Sequence, residues 1–279
     1  MVGSANVDLV WHGRRLPAPG ETVTDGDFVQ VLGGKGANQA AAAAALGAEV
    51  HFVGAVGDDE YGRMARADLE ARGIDCSALA TIPGTPTGVA LVTVDGRGEN
   101  SIAVAPGANR LVAAAIAVRS IRRDDVVLCS LEIPVPTVEA VVAWALACDA
   151  FPIVNPAPPR SAPAGALLTP NEHECEQLGG VDALLEKAPA VIVTLGAAGV
   201  VLHRAGYPPV EQSAFAVDVV DTTGAGDALN GALAWALSED KSVGDALQLA
   251  CAAGALATRA VGARASLPSA AEVYSLVTA

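Results

Sequence analysis

Residues 221–227 read Asp-Thr-Thr-Gly-Ala-Gly-Asp, and an apolar, helix-compatible run over 228–237 follows at once. Two glycines let a backbone turn tightly and expose successive N–H groups. A helix opening there adds unpaired N–H groups and the positive end of its dipole. Such a place holds an anion, most often a phosphate. A carboxylate in the same turn would repel that phosphate unless it faces a second reactant. Asp227 then takes a proton from a hydroxyl group that attacks the phosphate. The segment reads as a phosphoryl-transfer centre. The plainer alternative is a Gly-rich turn in which an Asp caps a helix.

Other polar residues gather where apolar, strand-like runs end. Glu132 follows 126–131, Asn155 follows 151–154, and Thr194, Leu195 and Gly196 follow 190–193. Asn171, Glu172 and Glu174 follow the short run 166–170. In an open parallel sheet, ligands bind beyond the carboxyl ends of the strands. These residues would therefore converge on one rim. Taken singly, Asn155 before Pro156 suits a turn, Asn171 a helix cap and Glu132 a solvated strand end.

Near the N-terminus, residues 33–40 read Gly-Gly-Lys-Gly-Ala-Asn-Gln-Ala. This is not a Walker A loop, because no Ser or Thr follows Lys35 and the glycine spacing differs. It is a Gly-rich turn opening an alanine-rich helix. Lys35 supplies donors, and Asn38 supplies a donor and an acceptor. With Asn6 and Asp8 the set suits polyol hydroxyls. A tight turn packing a helix onto a sheet is the alternative.

The elements that must position these residues alternate along the chain. Residues 50–56, 126–131, 151–154 and 190–193 read as strands, and 61–72 and 137–148 as helices. Continuous apolar strands separated by helices predict a mostly parallel sheet covered on both faces. After Asp227, Leu229, Leu233, Ala236 and Leu237 share one helical face. Ser242 is placed to cap a second long helix reaching about residue 259, with Gly262 just past its end. Two regions break the rhythm. Residues 22–32 alternate, and 89–94 with 101–104 read as a hairpin around the Gly-rich turn 95–98. They predict a small antiparallel sheet standing off the main body as a lid.

A chain of 279 residues makes one large α/β domain or two small ones. Hydrophobic residues reach 52% but aromatics only 4%, so alanine-rich helices and Val/Leu-rich strands must fill the interior. A net charge of −14 argues against nucleic-acid binding. The five cysteines are odd in number and include no C-x-x-C pair. Buried, reduced thiols are expected rather than a disulfide framework or zinc site. No basic stretch followed by an apolar one opens the chain, so no signal peptide is expected. The apolar run 40–46 is too short to span a membrane. A cytoplasmic protein without membrane partners is expected.

Together these blocks make the chain resemble the ribokinase-like family of carbohydrate kinases. The similarity covers nearly the whole length. It runs through G-S-x-N-x-D at 3–8, P-G-E-T-V at 19–23, G-G-K-G-A-N-Q-A at 33–40, G-D-D at 57–59 and T-G-V-A at 87–90. It continues with G-E-N at 98–100, G-A-N at 107–109, N-P-A-P at 155–158, T-P-N-E at 169–172 and T-L-G at 194–196. It ends with D-T-x-G-A-G-D at 221–227, the block specific to the family.

The resemblance implies a three-layer α/β/α fold with a mostly parallel central sheet and a small antiparallel β lid. It implies one kinase domain over 1–279, with lid strands inserted at about 10–32 and 82–107. The implied activity is ATP-dependent phosphorylation of the primary hydroxyl of D-ribose to ribose 5-phosphate. Rivals are a kinase of the same scaffold for fructose, a ketodeoxy acid or a nucleoside, and a noncatalytic sugar-binding protein. Retention of Asp227 beside intact glycines argues against the last.

By the same resemblance Asp227 is the catalytic base, and Gly224, Ala225 and Gly226 form the anion hole. Asn6, Asp8, Gly34, Lys35, Asn38 and Glu132 match sugar-binding positions. Asn171 and Glu174 match a motif that positions Mg²⁺ and phosphates through water. Thr194, Gly196 and Gly199, with Gly226, match nucleotide contacts. Asp221 and Thr223, with Gly262 and Ser266, match a site for K⁺. A homodimer through the lid is implied. Relative to the family pattern, the first strand is shortened, residues 156–190 are short enough to reduce a helix, and the loop 258–262 differs by one residue.

Overall fold

Successive residues of a strand face opposite sides of its sheet, and here the two sides meet different helices. In the computed structural model, which describes residues 1–279, the strands are β1 (Asn6–His12), β2 (Asp27–Gly33), β3 (Gly54–Gly57), β4 (Leu79–Ile82), β5 (Gly88–Val94) and β6 (Asn100–Ala105). They continue with β7 (Val126–Ser130), β8 (Phe151–Asn155), β9 (Leu167–Leu168), β10 (Val191–Thr194), β11 (Val200–His203) and β12 (Val210–Gln212). The helices are α1 (Lys35–Ala45), α2 (Glu60–Ala71), α3 (Ala114–Ser120), α4 (Val135–Ala147), α5 (Glu172–Gln177), α6 (Gly180–Leu185), α7 (Ala225–Ser238), α8 (Val243–Leu256) and α9 (Ala270–Thr278).

Val127, Cys129, Val154, Leu168 and Val191 share one core with Val138, Val141 and Val142 of α4 and Leu184 of α6. The intervening Leu128, Ile153, Leu167 and Ile192 share another with Leu229 and Leu233 of α7, Leu247 of α8 and Val273 of α9. Helices thus cover both faces, and the architecture is the expected three-layer α/β/α. The main sheet runs β12-β11-β10-β9-β8-β7. Strands β7 to β10 are mutually parallel, and β11 and β12 are antiparallel additions at one edge.

At the edge between β7 and the β3-β4 pair, Val2 stands as an isolated bridge. Val2 bridges Val53 on one side and Cys129 on the other, joining the parallel pair β3-β4 to β7. Its N–H donates to the Leu128 carbonyl at 2.9 Å, and the Gly3 N–H donates to the Val53 carbonyl at 3.0 Å. Met1, Val2, His51 and Val126 help line a cavity of about 290 Å³. The expected strand over 50–56 is correspondingly narrowed: a continuous ladder begins only at Gly54.

A second sheet, β2-β1-β5-β6, forms the lid. The hairpin partners β1/β2 and β5/β6 are antiparallel, while β1 and β5 run parallel. A parallel pair needs a crossover, and β3, α2 and β4 supply it. The ladder of β1 starts at Asn6↔Gly33, so the lid begins at Asn6 rather than near residue 10. Asn6 and Asp8 therefore stand where lid meets body.

Helices α1 and α7 meet almost backbone to backbone. A Cβ on Gly231 would lie 2.5 Å from the Gln39 carbonyl and 2.7 Å from the Ala42 methyl. Ala40, Ala41, Ala42 and Ala43 are buried along α1. Small residues thus close this seam, which brings Asn38 and Gln39 to the start of α7. Between 156 and 190, β9 has 2 residues and α5 and α6 have 6 each. All five cysteines are free, and four of them are buried. No helix is long and apolar enough to cross a membrane.

Candidate active site

The turn before α7 depends on one glycine for its shape and on another for its open front. Gly224, the N-cap, has φ 80°, and a Cβ there would fall 2.6 Å from the Ala263 Cα. Gly226 has no atom within 4 Å of a Cβ position, so its front faces open space. The Ala225 N–H donates to the Thr222 carbonyl at 3.2 Å. The N–H groups of Gly224, Gly226 and Asp227 have no partner in the chain, as the first turn of a helix requires. Ala225 therefore enters the proposed anion hole with its N–H already engaged.

Asp227 is only 7% exposed. Its Oδ2 accepts from Asn38 Nδ2 and its Oδ1 from Gln39 Nε2, each at 3.0 Å. The Gln39 amide also donates to Asn155 Oδ1 at 3.1 Å, and Asn155 Nδ2 donates to the Thr169 carbonyl. Thr169 Oγ1 donates to Asn230 Oδ1 at 2.6 Å, and Asn230 Nδ2 donates to the Gly226 carbonyl at 2.8 Å. This buried network ties the ends of β8 and β9 to both sides of the Asp227 turn. Such networks fix geometry where their members are satisfied; in this one, Gln39 Oε1 is the buried side-chain atom left without a partner.

On one side of the turn lie groups suited to hydroxyls. Glu132 Oε2 accepts from Ser4 Oγ at 2.5 Å and from the Lys35 N–H at 2.9 Å. The Lys35 ammonium is held above its ordinary range by Asp227 first; burial opposes this, and Glu132 and Glu174 reinforce it. Burial pushes the Asp8 carboxyl up to about 6, with Glu132 adding to the shift, Arg264 opposing it and Asp227 adding a smaller push. Asn6 Oδ1 accepts from Asn109 Nδ2 at 2.7 Å, which leaves Asn6 Nδ2 free of partners in the chain. Asn109 is itself pinned to the N–H and carbonyl of Ala5. Gly34, with φ 89°, lets the start of α1 approach Asn6: a Cβ there would lie 2.8 Å from the Asn6 nitrogen.

On the other side of the turn is a cavity of about 510 Å³. Thr194, Gly196, Gly199 and Gly226 line it together with apolar groups such as Phe215 and Leu229. An apolar slot leading to bare N–H groups suits a planar base carrying phosphates. Gly199 has φ 99°, and a Cβ there would collide with the Gln212 carbonyl at 2.0 Å.

Asn171 and Glu174 form a capping box on α5. Asn171 Oδ1 accepts from the Glu174 N–H at 2.7 Å, and Glu174 Oε2 accepts from the Asn171 N–H at 2.9 Å. Nothing in the chain occupies Glu174 Oε1. A lone carboxylate fits a Mg²⁺ that keeps most of its waters, and no cluster of three or more His, Cys, Asp or Glu residues converges anywhere as a metal cage. Asp221 Oδ1 accepts from the Thr223 N–H at 2.9 Å and Oδ2 from the Gly262 N–H at 2.8 Å. Burial pushes this carboxyl up, but the Gly262 and Thr223 bonds outweigh it and hold it below its ordinary value. The loop offers hard oxygen donors of the kind an alkali cation takes. Gly262 meets Asp221 through its N–H, and the Ser266 hydroxyl is turned to the Ala257 carbonyl at 2.5 Å.

Four positioning residues escape a reading of the sequence alone for roles. Gln39 and Asn109 sit in recognisable blocks, yet only the fold shows which carboxylate or amide each one holds. Ser4 is a short side chain beside a glycine. Arg264 lies in an Ala/Gly-rich loop without a pattern, but its side chain is 7% exposed and reaches Asn38.

A buried carboxylate between hydroxyl-binding groups and bare helix N–H groups is the arrangement of a phosphotransferase with an alcohol acceptor. A family model described as pfkB family carbohydrate kinase matches residues 1–270, and the chain belongs to that family. It is 39% identical over 290 residues to a ribokinase of Bacillus subtilis, covering 100% of this chain and 98% of the relative. It is 37% identical to a ribokinase of Lactococcus lactis, with coverage of 98% and 94%. Among solved structures it resembles ribokinase from Thermotoga maritima with TM-score 0.89 and 33% identity, over 100% of this chain and 98% of that one. It also resembles Arabidopsis thaliana ribokinase complexed with ribose and ATP, with TM-score 0.86, 30% identity and coverage of 100% and 97%.

Proposed function

We propose that this protein phosphorylates D-ribose with ATP, giving ribose 5-phosphate and ADP. The observation that carries this reading is the position of Asp227. Its carboxylate lies against Asn38 and Gln39 on the acceptor side, one residue from the uncommitted Gly226 N–H. The full-length relatedness to ribokinases and the ribose and ATP bound by the Arabidopsis relative support the choice of substrates.

In this reading Asn6, Asp8, Gly34, Lys35, Asn38 and Glu132 hold the pentose, and its primary hydroxyl points at Asp227. Asp227 takes the hydroxyl proton as the oxygen attacks the γ-phosphorus. The free N–H groups of Gly224 and Gly226 and the Lys35 ammonium receive the charge that builds on the transferring group. Thr194, Gly196 and Gly199 border the nucleotide. Glu174, held by Asn171, carries Mg²⁺ through water, and the ion neutralises phosphate charge when bound. Asp221 and Thr223, with the loop around Gly262 and Ser266, would hold K⁺, and its charge there would stiffen the anion turn. The lid closes on the sugar and excludes water.

The lid also exposes Phe28, Val31, Leu91, Ile102 and Val104. An apolar surface of this kind is commonly covered by a second copy, so we assign a homodimer through the lid. The protein works in the cytoplasm. ADP release with ATP, Mg²⁺ and K⁺ over a panel of sugars tests the substrate. D-ribose should give the highest kcat/KM; a higher value with fructose, a ketodeoxy acid or a nucleoside overturns the choice. Equal rates in K⁺ and Na⁺ would remove the cation assignment.

A further inference from the structure

A side-chain amide can be inverted with little change of shape, so its orientation is set by its partners. Asn38 has two of opposite character. Its Nδ2 faces Asp227 Oδ2 at 3.0 Å, and its Oδ1 accepts from Arg264 Nε at 2.8 Å. A guanidinium has only donors, so it accepts nothing from an inverted amide. Inversion would set the Asn38 oxygen against the Asp227 carboxylate and its NH₂ against Arg264.

Arg264 is built in to hold this position. Its Nη1 donates to Asp68 Oδ2 of α2 at 2.6 Å, and its Nη2 donates to the Gly33 carbonyl at the end of β2 at 2.8 Å. Each of its three nitrogens thus has a different partner, and the side chain is 7% exposed. The preceding residue, Ala263, packs against Gly224. One loop segment therefore backs the anion turn and orients the acceptor wall.

We propose that Arg264 is a positioning residue for the sugar site: it fixes the Asn38 amide so that its NH₂ faces Asp227 and the acceptor. The inference rests on the reading of Asn38 and Asp227 as acceptor-site residues. It reaches further by assigning acceptor affinity to a residue outside that set.

A double-mutant cycle in ribose Kd, read by calorimetry, tests it. Losing a hydrogen bond to a charged group should weaken ribose binding about tenfold or more in Arg264→Met. ATP binding should stay within about twofold. In an Asn38→Ala background, measured well above pH 6 so that Asp8 stays ionised without the opposing Arg264 charge, the same change should alter ribose Kd by less than about twofold, because the amide it orients is gone. Asp68→Asn, which keeps the Nε contact to Asn38, should lower Tm and leave ribose Kd unchanged. If Arg264→Met does not fold, Arg264→Gln carries the same cycle. An equal loss in the wild-type and Asn38→Ala backgrounds, or a parallel loss of ATP affinity, overturns the proposal. Ribose binding without ADP release would defeat the proposed activity, while the cycle in Kd would still decide the role of Arg264.

Discussion

Gln39 Nε2 donates to Asp227 Oδ1 at 3.0 Å across the seam where α1 and α7 touch. Both side chains are buried, so the contact is shielded from solvent. Replacing the amide by a carboxylate would set two buried acids against each other, whereas replacing it by leucine only removes a donor. Gln39→Glu should therefore lower both Tm and kcat more than Gln39→Leu does. Thermal unfolding and steady-state kinetics check the order. The reverse order would contradict the contact.

The Gly226 position separates folding from catalysis. A Cβ there meets nothing within 4 Å, whereas one on Gly224 meets Ala263. Gly226→Val should keep a Tm close to wild type yet lower kcat at least about tenfold, since the side chain enters the space the phosphoryl needs. An unchanged kcat would rule out the anion hole.

Asp8 gives a pH dependence. Burial first, then Glu132, raise its pKa to about 6 from 3.8. The protonated acid no longer offers a charged acceptor to a hydroxyl. Ribose KM should rise as pH falls through that value, by about tenfold per unit at the limit. The same shift makes the native state bind the proton more tightly than the unfolded chain. Its contribution to stability is therefore lost as pH rises from 3.8 to about 6. Asp8→Asn should flatten the KM profile. A profile that keeps its rise in that variant assigns the titration elsewhere.

Asn109 tests a support behind the sugar wall. It holds Asn6 Oδ1 and both backbone groups of Ala5. Asn109→Ala leaves buried polar groups unpaired, which costs about 1–3 kcal/mol. Chemical denaturation should show that loss, and ribose Kd should rise with it. Unchanged stability would mean that water replaces the amide fully.

Much of this was legible in residue order, and the boundary of legibility is physical. The strands β7, β8 and β10 announce themselves because both faces are covered, which demands continuous apolar runs. The turn at 224–227 announces itself because tight geometry beside an anion restricts residue type. The main-sheet start at Val2 and the two-residue β9 are too short to leave a period. Phe151 looks like core but is 45% exposed, because it opens β8 at the sheet's rim. Pairings across distant segments, such as Asn109 with Asn6 or Arg264 with Asn38, have no local signature at all. They depend on which loops the topology brings together.

The central claim is that Asp227 removes the proton from the acceptor hydroxyl. Its most direct test is the turnover of Asp227→Ala at saturating ribose and ATP, with ribose binding measured on the same preparation. The kcat should fall by about 10²–10⁴-fold while ribose Kd stays within a few-fold of wild type, as the removal of a general base implies. Near-normal turnover in that variant would contradict the account.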